Sequence, residues 1–397
     1  MAHLLDGLLV IDFTTALSGP FCTMTFRDLG ARVIKIEQPE VGEGFRRIGP
    51  FFEGQSGYFN SVNRGKESVT FDLKHPRALE LVKDLVRKAD IVVENFRPGV
   101  MDRLGLSYVD LKAINPRLIF LSISGFGQTG PYRDYPAFDV VVQAMSGLMS
   151  INGAEGGEPT RVGTSVGDIV PGMYGVIGVL GALERRHRTG EGGHVDISMM
   201  DGLIAIIENA MMRYWVTGED PGPIGSRHPA ITPFSAYPSA DGYIVVAVAN
   251  NAAMYTKFCQ VIGAPELDQN PDYANNDLRN ANVQQFTDDL SNVFRRQPTA
   301  YWLAVLREAG IPASPVNRMS DIHADAHVEA RHMLMHVAQP GLSRPQIMPG
   351  TPVKVTGHND TDFAHAPAVG EHTDSVLMDV LGLSQEDVDM LRVEEVV

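Results

Sequence analysis

Asp168 is the residue of this sequence whose type and position best suit covalent chemistry. It lies in RVGTSVGDIVPGMYGVIGVLGALERRHRTG, residues 161–190, where a glycine-rich turn changes into a long apolar helix. Pro171 follows closely, so we expect Asp168 at the N-cap or first position of that helix. Free amide groups and the helix dipole would then keep its carboxylate ionised. Such a carboxylate can be a nucleophile, although Asp is also a common helix cap.

Arginines that can bind phosphate follow a predicted strand. The segment ENFRPGVMDRLG, residues 94–105, places Arg97 and Arg103 at the strand end and in the next helix. Guanidinium groups form paired hydrogen bonds to phosphate oxygens, but a solvated surface is the alternative. A second segment, NRGKES at residues 63–68, is not a nucleotide-triphosphatase loop, because Glu67 stands where Ser or Thr should follow Lys66.

Strand and helix signals alternate over the first two hundred residues. The strand signals lie at residues 7–13, 31–37, 68–73, 90–95 and 118–124, and helical periodicity lies between them. This alternation predicts an α/β fold with a mostly parallel sheet. Ligands of such sheets bind beyond the carboxyl ends of the strands, so the loops at 18–20, 95–98 and 125–131 are expected to form the site.

A domain boundary is predicted near residue 220. The Pro- and Gly-rich segment 217–233 is typical of a linker after a large domain at 1–216. A smaller α+β domain is predicted at 234–320, with a strand at 243–250 and an apolar stretch at 312–317. Its helical segments lie near 252–263, 282–295 and 299–309.

Four glycines recur every three residues in the helix after Asp168, at positions 172, 175, 178 and 181. Each glycine costs about 1 kcal/mol of helix stability relative to Ala. Close packing is expected to offset that cost, with a neighbour that belongs either to the same chain or to another.

Composition limits the classes of function. The 397 residues include 44% hydrophobic residues, enough for a large core and two domains, and the net charge of −15 argues against nucleic acid as a partner. Cys22 and Cys259 are too few for a disulfide framework. The first residues lack the pattern of a secretory signal, and the apolar run 169–183 is shorter than a membrane span of about 20 residues. We expect a cytoplasmic protein without a membrane partner.

Two motifs are set aside. GFGQTG, residues 125–130, has the spacing of a dinucleotide-binding turn, but Pro131 and Pro136 obstruct a following helix, and the acidic residue that would bind a ribose is missing. Histidines recur at i, i+4 spacing at positions 323, 327, 332 and 336, without the glutamate of a zinc motif. We expect helical, solvent-facing histidines, no metal and no NAD.

The whole chain resembles the family III CoA-transferases. The similarity runs in order through residues 7–46, 63–74, 89–106, 114–131, the Asp168 segment and 366–377. In that family the Asp at the position of Asp168 is the nucleophile, and the resemblance implies the same role here. It also implies a large Rossmann-like domain to which the chain returns over 321–397, and an interlocked homodimer.

The resemblance also implies where ligands would bind. The candidate contacts to coenzyme A (CoA) are Ala16, Lys74, Asn95, Phe96, Arg97 and Arg103, with Lys66 as a further phosphate contact. Gly125 and Gly127 are candidates for shielding the reaction from water. Arg46, Arg227 and His228 are candidates for binding a second carboxylate of the acceptor, with a surface or linker position as the alternative. CoA would be a substrate thioester, with no permanently bound cofactor.

The implied reaction is transfer of CoA from an acyl-CoA such as succinyl-CoA to a small carboxylic acid, through an aspartyl anhydride and an aspartyl-CoA thioester. Residues 49–69, 137–150 and 225–234 are most similar to enzymes that act on oxalate or glutarate. The additional Gly-rich loop of the formyl-CoA transferase branch has no counterpart here. One alternative is an α-methylacyl-CoA racemase, although Phe138 stands where those enzymes have a proton-carrying His. A non-catalytic CoA-binding protein is the other.

Overall fold

The computed structural model describes residues 3–249, 251–358 and 363–397. The chain forms two compact units. The first contains Met1–Met149, Arg161–Gly218 and Ala326–Val397, and the second contains Ser150–Thr160 and Glu219–Asp325. Most of the segment predicted as a linker, 217–233, therefore belongs to the second unit. The short excursion Ser150–Thr160 into that unit has no counterpart in the sequence prediction.

The strands of the described residues are β1 (Leu9–Asp12), β2 (Arg32–Glu37), β3 (Phe51–Phe52), β4 (Gln55–Ser56), β5 (Glu67–Thr70), β6 (Ile91–Glu94), β7 (Ile119–Ser124), β8 (Gly193–Ser198), β9 (Phe234–Pro238), β10 (Tyr243–Ala247), β11 (Ala313–Pro315), β12 (Leu334–Val337) and β13 (Gln346–Pro349). The helices are α1 (Ser18–Asp28), α2 (Gly57–Asn63), α3 (Pro76–Lys88), α4 (Val100–Arg103), α5 (Tyr108–Ile114), α6 (Asp139–Met145), α7 (Leu148–Ile151), α8 (Val166–Thr189), α9 (Met199–Ile206), α10 (Glu208–Thr217), α11 (Ala252–Val261), α12 (Pro265–Gln269), α13 (Asn276–Ala281), α14 (Val283–Phe294), α15 (Thr299–Glu308), α16 (Met319–His323), α17 (Ala326–Ala330), α18 (Thr373–Leu381) and α19 (Gln385–Val393).

A six-stranded sheet is the centre of the first unit. Its strand order is β5-β2-β1-β6-β7-β8, and every neighbouring pair is parallel. The predicted α/β class, with a parallel sheet in a large domain, is confirmed. Strand β8 is an element that the sequence prediction missed. Its residues alternate between exposed and partly buried positions, so it lacks the continuous apolar run that marks a central parallel strand.

Apolar side chains cover both faces of this sheet, because successive strand residues point to opposite sides. Ile11, Ile34 and Val92 lie in one buried cluster with side chains of α3 and α5. Val33 and Val93 lie in another cluster with α1 and α8. Helices α18 and α19 contribute to the first cluster, so the end of the chain completes the core of this unit.

The glycines of α8 let it lie close to α1 and to the sheet. A Cβ added at Gly172 would lie 2.8 Å from the Ser18 carbonyl oxygen, and one at Gly178 would lie 2.7 Å from a methyl group of Val195. Gly175 is similarly tight against Cys22. The expected close packing is thus found at three of the four positions, against the same chain. A Cβ at Gly181 would meet no atom of the described residues within 4 Å, so at this position the expected packing stays a prediction for a neighbour in another chain.

The second unit contains an antiparallel sheet of order β11-β10-β9 covered by α11, α14 and α15. The predicted strand 243–250 is observed as β10, although Asn250 lies outside the described residues. The three predicted helices and the apolar stretch near 312–317 are present within one or two residues. The prediction missed β9, in which buried residues alternate with exposed or partly exposed ones.

By length and composition, α8 is the one helix of the described residues that could cross a membrane. Its glycine face packs on α1 and on the sheet, as in the core helix of a globular protein.

Candidate active site

Asp168 is the third residue of α8, since the helix begins at Val166 after Ser165. The prediction that it occupies the N-cap or first position is therefore wrong by two or three residues. Its own amide donates to the Ser165 carbonyl oxygen at 3.0 Å. The amide of Gly167 donates to the carboxylate of Asp139 at 2.9 Å. Asp139, and not Asp168, thus uses an amide at the start of this helix.

A buried acid next to Asp168 changes its ionisation. Asp139, the first residue of α6, also accepts hydrogen bonds from Gln143 at 2.8 Å and from Arg161 at 2.9 Å. Burial and then the negative charge of Asp139 raise the pKa of Asp168 to about 7. The prediction that the helix start keeps Asp168 ionised is corrected, because desolvation and a like charge raise its pKa. An acid directly before the apolar run 140–142 was the available sequence signal for Asp139.

A cavity of about 140 Å³ lies in front of Asp168 at the carboxyl ends of β1, β6 and β7. Six of the predicted site residues line it together: Ala16, Asn95, Phe96, Arg97, Gly125 and Asp168. Residues from three separate loops meet here because parallel strands end at the same edge of a sheet. Arg133, Tyr135 and Phe138 also line the cavity. Arg133 and Tyr135 were not predicted, since they lie in a loop without periodicity.

Two turns of this cavity are tied together by Asn95. Its side-chain oxygen accepts from the Thr15 amide at 2.8 Å, and its side-chain nitrogen donates to the Thr15 carbonyl oxygen at 2.8 Å. The next residue, Ala16, has a φ of 66°, a left-handed conformation that is uncommon for residues with a side chain. Asn95 therefore fixes the backbone of the turn after β1, and Thr15 and Ala16 of this turn line the cavity.

The cationic side chains near this edge are exposed. Arg97, Arg103 and Lys74 are all exposed, and among the described residues no carboxylate pairs with them. Only Arg97 of these three lines the cavity at Asp168. Unpaired cations of this kind are available to bind phosphate groups.

Lys66 is not available to phosphate. Its side chain is completely buried, and its ammonium group donates to Asp12 at 3.0 Å and to the Asn63 side chain at 2.8 Å. Burial lowers the pKa of Lys66 to about 8. The prediction of a phosphate contact at Lys66 is corrected: this lysine joins the start of β5 to the end of β1.

The three residues expected to bind a second carboxylate do not line this cavity. Arg46 is committed to Glu37 through two nitrogens, at 2.5 and 2.8 Å, and also donates to the Pro367 carbonyl oxygen. In the second unit, Arg227 pairs with Glu155 at 2.6 Å, and the ring of His228 lies 5.2 Å from that of Phe234. Existing partners thus occupy both guanidinium groups.

The two glycines expected to shield the reaction have different surroundings. Gly125 lines the cavity, and a Cβ there would meet the Ala137 side chain at 2.3 Å. Gly127 has a φ of 84°, and the next amide, that of Gln128, donates to Asp196 at 3.0 Å. The glycine-rich turn is therefore held to strand β8.

Tyr58 is a residue near Asp168 that the sequence prediction missed. Burial and then the charge of Asp168 raise the pKa of its half-buried hydroxyl. It belongs to α2, within the stretch 49–69 that was noted for its similarity to dicarboxylate enzymes.

Among the described residues no three His, Cys, Asp or Glu side chains are grouped to hold a metal ion. His323 and His327 lie in α16 and α17, whereas His332 has a φ of 50° and His336 lies in β12. The prediction of helical histidines is thus wrong for the last two.

Comparison with known proteins defines the class of protein. The family model of CoA-transferase family III matches residues 5–373. The chain belongs to that family and is an enzyme of the CoA-transferase class.

Individual relatives cover most of the chain. The acetyl-CoA:oxalate CoA-transferase of Acetobacter aceti is 46% identical over 356 residues, covering 89% of this chain and 90% of the relative. The succinate–glutarate CoA-transferase of Agrobacterium fabrum is 36% identical over 389 residues, covering 95% of each chain. A crystal structure of a CaiB/BaiF family protein from Brucella suis superposes with a TM-score of 0.84 at 36% identity, covering 96% of this chain and all of that one.

Proposed function

We propose that this enzyme moves CoA from an acyl-CoA donor, such as succinyl-CoA or acetyl-CoA, to a small dicarboxylic acid, with Asp168 as the nucleophile. The observation that carries the proposal is the position of Asp168, whose carboxyl group lines a cavity together with an unpaired arginine, Arg97. The dicarboxylate class rests on relatives named for oxalate and glutarate.

The proposed reaction proceeds in four balanced steps. A carboxylate oxygen of Asp168 attacks the thioester carbonyl carbon, the carbon–sulfur bond breaks, and CoA leaves as a thiolate from a mixed anhydride. The thiolate attacks the aspartyl carbonyl carbon, which releases the donor acid and forms an aspartyl-CoA thioester. The acceptor carboxylate attacks that thioester and expels the thiolate again. The thiolate then attacks the acceptor's acyl carbon, which frees the Asp168 carboxylate.

We assign the binding of the CoA part of the substrate to the turns around the cavity. Asn95, Phe96 and Ala16 would contact the pantetheine arm, and Arg97, Arg103 and Lys74 would contact the phosphate groups. Charge-assisted hydrogen bonds of this kind fix a thioester relative to the nucleophile, and a fixed thioester raises the effective concentration of the reacting groups. Gly125 and Gly127 would form the cover that limits hydrolysis of the intermediates.

The racemase alternative is disfavoured at the same cavity. Phe138 lines the cavity with Asp168, and a phenyl ring cannot accept or donate a proton. A non-catalytic CoA-binding protein remains the alternative from another class. It predicts that Asp168→Ala binds CoA normally and changes no other property.

We also propose a cytoplasmic homodimer. One apolar stripe on α8, formed by Met173, Ile177 and Leu180, is exposed in the single chain. Exposed apolar surface that follows a helix in this way is typical of a subunit interface.

The deciding experiment incubates the enzyme with succinyl-CoA or acetyl-CoA and one acid from a panel of oxalate, glutarate, itaconate, mesaconate and formate. Mass spectrometry would detect the new acyl-CoA.

We expect Asp168→Ala to bind CoA normally and to lose transfer by at least about a thousandfold, because the covalent route is removed. Full transfer by Asp168→Ala would contradict the mechanism. Absence of any new acyl-CoA with the wild type would favour a binding role.

A further inference from the structure

Three polar residues form a row across the sheet on the face opposite α8. Glu94 of β6 is the register partner of Ser122 in β7, and Ser122 is the register partner of Asp196 in β8. Register partners in a parallel sheet point to the same side, so the three side chains are neighbours. Two carboxyl groups with a hydroxyl between them thus lie at the carboxyl edge of the sheet, next to the loops of the active site.

Each carboxyl group of this row holds one turn of the active site. Glu94 accepts a hydrogen bond from the Phe96 amide at 2.8 Å, within the turn that carries Asn95 and Arg97. Asp196 accepts from the Gln128 amide at 3.0 Å, within the glycine-rich turn. The backbone of both turns is therefore fixed by acids that do not line the cavity at Asp168.

The middle residue of the row, Ser122, forms a hydrogen bond with the imidazole of His194. The Ser122 hydroxyl lies 2.9 Å from Nε2 of His194, whose ring stacks on that of Tyr108 at 5.2 Å. Glu94 and Ser122 are almost completely buried, with 4% and 2% of their surfaces exposed. They border a cavity of about 230 Å³ that shares Arg97 and Arg133 with the cavity at Asp168. A change of charge in the row thus occurs directly behind the proposed CoA site.

We propose that Glu94 and Asp196 are positioning residues for CoA transfer, and that a single proton on Glu94 loosens the turn that binds CoA. The inference rests on the proposed function, because it assumes that the turn containing Phe96 contacts CoA. It adds residues and a pH response for which that function does not account.

The electrostatic surroundings place this response near neutral pH. Burial raises the pKa of Glu94 to about 7, against the hydrogen bonds from Ser122 and the Phe96 amide; the charges of Asp196 and Asp102 raise it further. The charged and titratable groups that face Glu94 are His194 and Asp196 on β8, Asp102 on α4, Tyr108 on α5, and Arg97 and Arg133 on the loops. Burial lowers the pKa of His194 and so favours its neutral imidazole, against the charge of Asp196.

The sign of the effect follows from the acceptor. An ionised Glu94 accepts the Phe96 amide in a charge-assisted hydrogen bond, which is about twice as strong as the bond to a neutral acceptor. Protonation weakens that bond, and the turn becomes less well ordered for CoA. CoA should therefore bind more tightly as the pH rises through 7.

The test measures the dissociation constant of free CoA by isothermal titration calorimetry between about pH 6 and about pH 8.5, without any acceptor acid. We expect wild-type affinity to rise about fivefold over this range relative to Glu94→Gln, whose amide cannot ionise. The variant should match the wild type at the acid end. In turnover assays near pH 8, Glu94→Gln should raise KM for the acyl-CoA about fivefold and change kcat less than about twofold.

Glu80→Gln, at an exposed acid on α3, is the matched control and should behave as the wild type. Ionisation of the CoA phosphates affects all of these proteins equally, so the difference between variants is the readout. Asp196→Asn is a second variant. Its CoA affinity should change at a lower pH than that of the wild type, because the substitution removes a negative charge that raises the pKa of Glu94. Thermal unfolding would verify that each variant is folded.

Equal pH dependence in the wild type, Glu94→Gln and Asp196→Asn would overturn the inference, as would a loss of kcat at unchanged KM. Failure of the proposed function has a different signature, the absence of a new acyl-CoA in the exchange assay. The binding measurement is independent of that outcome.

Discussion

At the scale of single residues, the chemistry depends on how two neighbouring acids share one environment. Asp139 accepts hydrogen bonds from the Gly167 amide and the Arg161 guanidinium. The pKa of Asp168 is raised instead, because burial and the negative charge of Asp139 disfavour its ionised form. The result is a proposed nucleophile whose pKa is raised to about 7. A carboxyl group whose pKa is raised by burial and by a neighbouring charge is typical of acid–base and nucleophilic enzymes.

This arrangement predicts the pH dependence of transfer. The pKa of Asp168 is raised to about 7, so the protonated form is favoured below that pH, yet only the ionised form attacks a thioester. We expect kcat/KM to fall as the pH decreases through about 7. Asp139→Asn removes the repulsive charge and should move this fall to lower pH, as steady-state rates across the pH range would reveal. A profile unchanged in Asp139→Asn would contradict the assignment.

At the scale of elements, the packing of α8 both stabilises the first unit and positions Asp168. Its glycine face lies against α1 and the sheet, and this close approach brings Asp168 next to the turn that follows β1. Interlocking of this kind requires the absence of side chains at particular positions, which helix propensity alone does not favour.

A pair of alanine substitutions tests this packing. Gly172→Ala places a methyl group 2.8 Å from the Ser18 carbonyl oxygen, so we expect it to lower the free energy of unfolding by about 2 kcal/mol. Gly181→Ala meets nothing within 4 Å and should raise it by about 0.5 to 1 kcal/mol. Urea denaturation would measure both. Equal effects of the two substitutions would show that the close approach does not determine stability.

At the scale of the whole molecule, the apolar stripe on α8 remains uncovered in the single chain. Ile177 is 61% exposed and Met173 is 53% exposed, and α10 also carries exposed apolar residues such as Trp215. Surface of this composition is consistent with the proposed homodimer, in which a second copy would cover it.

The dimer proposal predicts a molecular mass of two chains by analytical ultracentrifugation. Ile177→Lys should shift the population toward single chains, because a charge in an apolar interface is left without a partner. Val393→Lys, at a similarly exposed apolar residue on α19, is the control and should leave the mass unchanged. A wild-type protein that sediments as a single chain would refute the homodimer.

Much of the architecture follows from local sequence patterns. The apolar runs of β1, β2, β6 and β7 predict a parallel sheet because strands buried on both faces need continuous apolar residues. The loops that contain Asn95, Arg97 and Gly125 are predictable because each follows such a strand and parallel strands end at one edge of a sheet, whereas the roles of these residues are implied by the family resemblance. Strand β8 escaped prediction because exposed and partly buried residues alternate along it, so it lacks a continuous apolar run.

The sequence by itself determined the fold class, the position of Asp168 near the start of a glycine-rich helix, and the set of loops that could form a site, since these depend on neighbours along the chain. Only the tertiary structure decided the charge state of Asp168, the burial of Lys66 against Asp12, and the commitment of Arg46 to Glu37. Those properties arise from desolvation and from charges brought together by folding. Asp139 lies 29 residues from Asp168 along the chain, and no local pattern specifies their contact in space.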